Sequence, residues 1–203
     1  DTIYSWAYST AKVSFFEDRD TSNYFYFDSI QTNNIWQIGT PSKTIFDSAY
    51  SAPLALLTDT MNTYPVSNQS TFEFVIRTDD YTIISFWHRF NTDSLADGGV
   101  IEISTDNGST WTNIINAPQF TLWNFYSSSD SISSNSNKVG FTGNSDWMNS
   151  QIQGYALNFV RFRFTFTSDN INTTKDGWMI DNFDFLTLGT AVEETNLNTQ
   201  IKL

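Results

Sequence analysis

The stretch Val160-Arg161-Phe162-Arg163-Phe164-Thr165-Phe166-Thr167 decides the fold. Val160, Phe162, Phe164 and Phe166 point one way, and Arg161, Arg163, Thr165 and Thr167 the other. Successive side chains of a strand face opposite sides of a sheet, so this pattern reads as a strand with one buried face. Moving outward, Phe72 to Arg77 and Thr82 to Phe90 read the same way, and Tyr24 to Phe27 and Gly99 to Ser104 are further short strands. Thr, Phe and Tyr favour strands. Ser, Asn, Thr and β-branched residues interrupt every window that could form a helix. Many short strands joined by polar turns predict an all-β chain, a sandwich or jelly roll.

Composition supports a packed core. Aromatic residues reach 17%, from 7 Trp, 9 Tyr and 18 Phe, more ring surface than a disordered chain carries. Charged residues are 16%, below the usual ~25%, and neutral Ser, Thr and Asn take their place. The 203 residues suit one large all-β domain or two small ones. A formal charge of -12, from 10 Lys+Arg against 22 Asp+Glu, argues against nucleic acid and anionic membranes as partners. No apolar run approaches the ~18 residues of a membrane span. Nothing at Asp1 resembles a signal peptide, so the expectation is a cytosolic chain or a mature secreted form. The absence of Cys removes disulfides and thiolate chemistry, and one His leaves few His-metal sites.

Two features set the organisation. Asp130 to Ser145 is rich in Ser and Asn and reads as a long loop inside the domain, because strand-like sequence resumes after it. After Leu188 a polar tether begins, which divides the chain into a domain over 1–188 and a linker over 189–203. Within the last strand Trp178 and Ile180 share one parity, whereas Phe183 and Phe185 have the other. Either the strand slips by one residue at Asp181-Asn182, as a β-bulge allows, or it is central and buried on both faces.

Several motifs could carry chemistry. Ser104-Thr105-Asp106-Asn107-Gly108-Ser109-Thr110-Trp111 resembles the Asp-box, S-x-D-x-G-x-x-W. Its physics is local: Asp106 accepts turn N–H groups, Gly108 takes positive φ, and Trp111 packs back on the hairpin held by Ser104. Asp-boxes occur in glycosidases, where their role is structural. His88 is the single possible histidine base, yet it sits mid-strand with no nucleophile elbow nearby. The 22 acidic residues form many carboxylate pairs, and none stands out as a glycosidase pair. Calcium is the metal that suits such a chain, since it binds oxygen and needs neither His nor Cys. Phe16-Glu17-Asp18 near the start and Ile180 to Asp184 near the end could meet if the first and last strands pair. Trp123, Tyr126 and Trp147, in or near loop-like sequence, are the candidates for stacking against a sugar; the alternative is that they cap the core.

Three further stretches carry a resemblance. Phe16-Glu17, then Asn34 to Ser42, then Gly177-Trp178-Met179-Ile180-Asp181-Asn182-Phe183 resemble the MAM-like jelly-roll domains, in particular bacterial versions beside secreted peptidases and in large surface proteins. Gly98 to Trp111 looks like their central hairpin, and Phe141 to Trp147 like the lead-in to the Val160 strand. The resemblance covers most of Phe15 to Leu186 and implies a two-sheet antiparallel jelly-roll β-sandwich with no catalytic centre. Animal MAM domains carry disulfides, so receptor adhesion of that type does not transfer. The resemblance also implies a structural calcium ion, with Glu17 and Asp181 as ligands and Asp47 joining them from Phe46-Asp47-Ser48-Ala49-Tyr50. Val192-Glu193-Glu194, with Ile201-Lys202-Leu203 after it, resembles the approach to a type IX secretion sorting domain. Together these predict a non-catalytic, calcium-stabilised binding or adhesion module of a secreted or cell-surface bacterial protein. Its expected partners are extracellular carbohydrate or protein and the other domains of its own polypeptide, with no insertion in a membrane. The alternatives are an accessory domain of a secreted hydrolase, such as a peptidase, or a structural spacer.

Overall fold

The computed structural model describes residues 25–27, 33–76, 81–155, 159–172 and 174–188. Their strands are β1 (Phe25–Phe27), β2 (Trp36–Gly39), β3 (Ala55–Thr58), β4 (Gln69–Ile76), β5 (Tyr81–Asn91), β6 (Gly98–Ser104) and β7 (Thr112–Asn113). They continue as β8 (Phe120–Trp123), β9 (Ser131–Ile132), β10 (Lys138–Val139), β11 (Phe141–Thr142), β12 (Met148–Tyr155), β13 (Val160–Thr167) and β14 (Gly177–Leu188). Among the described residues only two short 3-10 turns, Ile114–Asn116 and Ser133–Asn135, are helical.

Twelve of the strands form two antiparallel sheets, and β9 and β10 pair apart from them. The first has the order β1-β4-β13-β6-β11, with β7 on the edge of β6; the second is β2-β3-β14-β5-β12-β8. β13 lies between β4 and β6, and β14 between β3 and β5, so late strands fill the middle of sheets begun by early ones. The inner faces enclose a core dominated by rings. Phe74 stacks on Phe162 at 5.0 Å, Phe72 on Phe164 at 4.8 Å, and Phe86 on Phe183 at 5.4 Å. Trp178 lies over Phe164 and meets Trp36 edge-on. Gly99 faces Trp178 so closely that any Cβ there would run into the indole ring.

β14 answers both readings of its sequence. Asp181 pairs with Trp87 and Asp184 with Ser85, so Asn182 and Phe183 together stand opposite Phe86. That is a β-bulge, with Asn182 at φ 43, a left-handed conformation that Asn tolerates. The slip turns Phe183 inward beside Trp178 and Ile180. Before the bulge the strand is also buried on its outer face, where Met179 joins Phe46, Ala55 and Leu57 in a second apolar cluster. Residues 40–54 bring Phe46 and Ala49 onto this cluster and so cover the outer face of β3 and β14 there. The expected long loop over Asp130 to Ser145 is more ordered than its composition suggests. β9 and β10 pair as a small hairpin, and β11 adds to β6. Ser133 and Ser134 donate N–H bonds to Leu95 and Ala96 carbonyls, so backbone pairing replaces the missing apolar content. The strand β14 ends at Leu188, and the linker over 189–203, with its sorting-domain resemblance, lies outside the described residues.

Candidate functional site

The uncovered half of the second sheet's outer face is built by β5, β12 and β8. Even-numbered residues of β12 such as Ser150 and Ile152 are buried, which leaves Asn149, Gln151 and Gln153 in a row on the outside. Gln153 Nε2 donates to Gln151 Oε1 at 2.8 Å, and Gln151 Nε2 donates to Asn149 Oδ1 at 3.0 Å. Each glutamine donates one amide hydrogen to its neighbour and carries a second. The row is therefore a pre-oriented strip of neutral hydrogen-bonding groups.

Aromatic rings flank that strip. Trp123, on β8, stands opposite Gln151 and is 58% exposed. On the other side Trp87 of β5 stands opposite Asn149. Two strand spacings and a two-residue rise separate Trp123 and Trp87 by about 12 Å at the backbone. Tyr50 stacks on Trp87 at 4.2 Å with ring planes 12° apart, and meets Trp147 edge-on at 5.4 Å. Tyr155, 54% exposed, meets Tyr81 edge-on where the strip ends. The rings stand on either side of the amide row, so the groove is the strip of sheet surface between them, with Trp123 on one rim and the Tyr50–Trp87–Trp147 group on the other.

The second rim belongs to residues 40–54, and buried polar groups hold it. Asp176 Oδ2 accepts the N–H groups of Ile45 and Phe46 at 2.7 and 2.8 Å. Lys43 Nζ donates to the carbonyls of Thr58 and Asp176, and burial pulls its pKa down to about 8 against the pull of Asp176 and Asp59. Nearer Tyr50, Asp181 Oδ2 accepts the Ser51 N–H at 2.7 Å. Its Oδ1 accepts the Asn182 N–H at 2.7 Å and meets Ser51 Oγ at 3.1 Å. Burial raises the Asp181 pKa, and these hydrogen bonds oppose the rise.

The residues singled out by the sequence fall in different places. Trp123 stands exposed beside the strip, whereas Trp147 is half-buried against the Phe46 cluster and reaches the strip's edge through its contact with Tyr50. Tyr126 does not reach the strip: it is buried beside Phe141, and its hydroxyl is directed to Asn113 Oδ1 at 2.9 Å and the Ile101 carbonyl at 3.3 Å. Its aromatic bulk serves the core, and no ring face is left for a ligand. Ser104, Asp106, Gly108 and Trp111 lie together at the far sheet. Thr110 N–H and Oγ1 donate to Asp106 at 2.8 and 2.6 Å, and Ser104 Oγ donates to it at 2.7 Å. Gly108, at φ 90, donates its N–H to Ser104 Oγ, and the Arg163 guanidinium sits 3.9 Å above the Trp111 ring. The groove residues that the sequence reading missed are Tyr50, Trp87, Asn149, Gln151 and Gln153. The alternation Asn149-Ser150-Gln151-Ile152-Gln153 was the available signal for the amide row.

The groove holds no catalytic histidine. His88 faces the core, accepts the Trp178 indole N–H at Nδ1 (3.1 Å) and meets Ser150 Oγ at Nε2 (2.8 Å). With Nδ1 accepting, Nε2 carries the proton and donates to Ser150, which in turn donates to the Asn124 carbonyl at 2.5 Å. A histidine in that tautomer cannot deprotonate the serine, and both residues are fully buried.

For calcium the donor chemistry is right but the described residues do not complete a site. Among them no three Asp, Glu or His side chains gather around one point. Asp47 is exposed and bonds to Ser48, while the acceptors around Asp181 already have donors within the chain. Glu17 lies outside the described residues.

No protein-family model and no curated protein matches the chain. Among solved structures it is similar to the CBM22-1 xylan-binding domain of Xyn10C from Paenibacillus barcinonensis, with a TM-score of 0.50 and 12% identity over 94% of this chain and 100% of that one. It is similar also to the K2 cleaved adhesin domain of Lys-gingipain, with a TM-score of 0.49 and 12% identity over 87% and 98% of the two chains. TmCBM61, solved with beta-1,4-galactotriose, gives a TM-score of 0.42 and 10% identity over 80% and 86%. The likeness to the first is one of fold, and it agrees with the two-sheet β-sandwich seen here.

Proposed function

We propose that the chain is a non-catalytic carbohydrate-binding module that holds a neutral glycan in the groove over β5, β12 and β8. The observation that carries this is the amide row Asn149-Gln151-Gln153 lying between Trp123 and the Tyr50–Trp87 stack. Sugar rings offer apolar faces to aromatic rings and hydroxyls to amides, and this face of the sheet presents both. The floor carries no charge, and a chain of charge -12 repels acidic polysaccharides. The fold is one that a xylan-binding domain also uses, which supports the architecture and leaves the ligand to the groove's own chemistry. The MAM-like and sorting-domain resemblances support a wider setting, a secreted or cell-surface bacterial protein with further domains.

The isolated chain would be titrated with soluble xylan, galactan and mannan, with pectate as the acidic control. The expected result is saturable binding to a neutral glycan, weakened roughly tenfold or more, about 1.4 kcal/mol, by Trp123→Ala. Binding that survives both Trp123→Ala and Gln151→Ala, or no binding to any of these glycans, would overturn the reading. A stabilising calcium ion with Glu17, Asp47 and Asp181 as its ligands is the rival role for the Asp181 carboxylate, whose oxygens accept from Ser51 and Asn182. A lower melting temperature in chelator, with the response lost in Asp181→Asn, supports it; identical melting of the parent in calcium and chelator removes it.

A further inference from the structure

We infer that Asp181 is a positioning residue for the groove, fixing residues 40–54 from beneath so that the Tyr50 ring is held against Trp87. This rests on the carbohydrate reading above. Asp181 is wholly buried on the outer face of β14, and Trp87 is its cross-strand partner. The carboxylate takes the N–H of Ser51, the residue next to Tyr50 in the chain. One side chain therefore stands beside the lower ring of the stack and ties down the backbone that carries the upper one.

The bulge makes this possible. It releases the Asn182 N–H from the ladder, and Asp181 Oδ1 takes it at 2.7 Å. It also brings Asn182 Oδ1 within 2.6 Å of Ser51 Oγ, a second tie to the same residue. Tyr50 is 44% exposed, so burial alone does not fix its ring. Asp176 holds the segment at Ile45 and Phe46, and Asp47 and Ser48 beyond them are exposed. Without the Ser51 tie, the stretch that ends in Tyr50 is held by Phe46, by Ala49 against the second apolar cluster and by the ring contacts alone. A rim fixed in advance spares a ligand the cost of ordering it. Asparagine at 181 has the right size but one acceptor oxygen, and it cannot serve both Ser51 and Asn182 without turning its NH2 toward an N–H donor.

The test measures binding of soluble xylan and galactan by the parent, Asp181→Asn, Tyr50→Ala and the double variant, each in calcium and in chelator. The near-UV circular dichroism of the stacked rings is recorded alongside. The expected result is a folded Asp181→Asn that loses the Tyr50-dependent near-UV signal and binds roughly tenfold more weakly. The double variant should bind no more weakly than Tyr50→Ala alone, because both changes remove the same rim. If Asp181→Asn does not fold, Ser51→Ala carries the same readouts, since it deletes the hydroxyl contacts to Asp181 Oδ1 and Asn182 Oδ1. An Asp181→Asn protein that keeps the signal and the affinity overturns the inference, as do losses that add fully in the double variant. A parent that drops to the Asp181→Asn affinity in chelator also overturns it, because the carboxylate would then act through a metal. A parent that binds neither glycan refutes the carbohydrate reading, whereas the near-UV comparison still judges the tie between Asp181 and Tyr50.

Discussion

His88 and Asp106 show how environment decides what an ionisable residue can do. His88 is buried among rings, and loss of water pulls its pKa down to about 3. The unfolded chain binds a proton there below about 6.5, while the native state refuses it until about 3. Stability contributed by this group is therefore complete above pH 6.5 and falls as the pH drops from 6.5 toward 3. Imidazole nitrogen shifts measured by NMR should report a neutral ring protonated at Nε2 at pH 5; a midpoint near 6.5 would contradict the buried network. Asp106 is lowered for the opposite reason, because hydrogen bonds favour its charged form. Hydrogen bonds from the Thr110 side chain and N–H, with Ser104, hold it at about 2, so its contribution is present above the ordinary carboxylate range and is lost as pH falls from about 4 to 2. Asp106→Asn should flatten the dependence of melting temperature on pH across that window. An unchanged slope would show that the turn does not favour the carboxylate.

At the scale of elements, β14 carries most of the consequences. Its first half is packed on both faces, its bulge turns Phe183 into the core, and the same bulge supplies the groups that hold residues 40–54. Opposite it, β6 approaches through glycine. Gly99→Ala would place a methyl group into the Trp178 ring and should cost about 1–3 kcal/mol, read by chemical denaturation. A variant as stable as the parent would mean that the indole has room to move. On the first sheet's outer face the outward residues of β13 are engaged differently. Arg163 pairs with Glu102 at 2.6 Å, Lys138 pairs with the same carboxylate at 2.7 Å, and Arg161 pairs with Glu73. The strand whose alternation settled the fold thus separates a ring-filled core from an ion-paired surface.

For the molecule as a whole, the two outer faces differ in character: ion pairs on one sheet, amides and rings on the other. Screening weakens exposed charge interactions and leaves neutral contacts alone. Binding of a neutral glycan should therefore change less than about threefold between 0.05 and 0.5 M salt. A steep loss across that range would move the site to the ion-paired sheet. The sequence by itself marked β1, β4, β5, β6 and β13, the sandwich class, the inward rings of β13 and the two possible fates of β14, because side-chain alternation is a local property of the chain; it left β3, β8 and β12 unread. What it left open depended on partners far along the chain. The tertiary structure decided that Tyr126 is core, that Tyr50 reaches Trp87, and that Asp181 holds Ser51 across 130 positions. Those pairings arise where strands distant in sequence come to lie side by side, and no local pattern encodes which strand will be the neighbour.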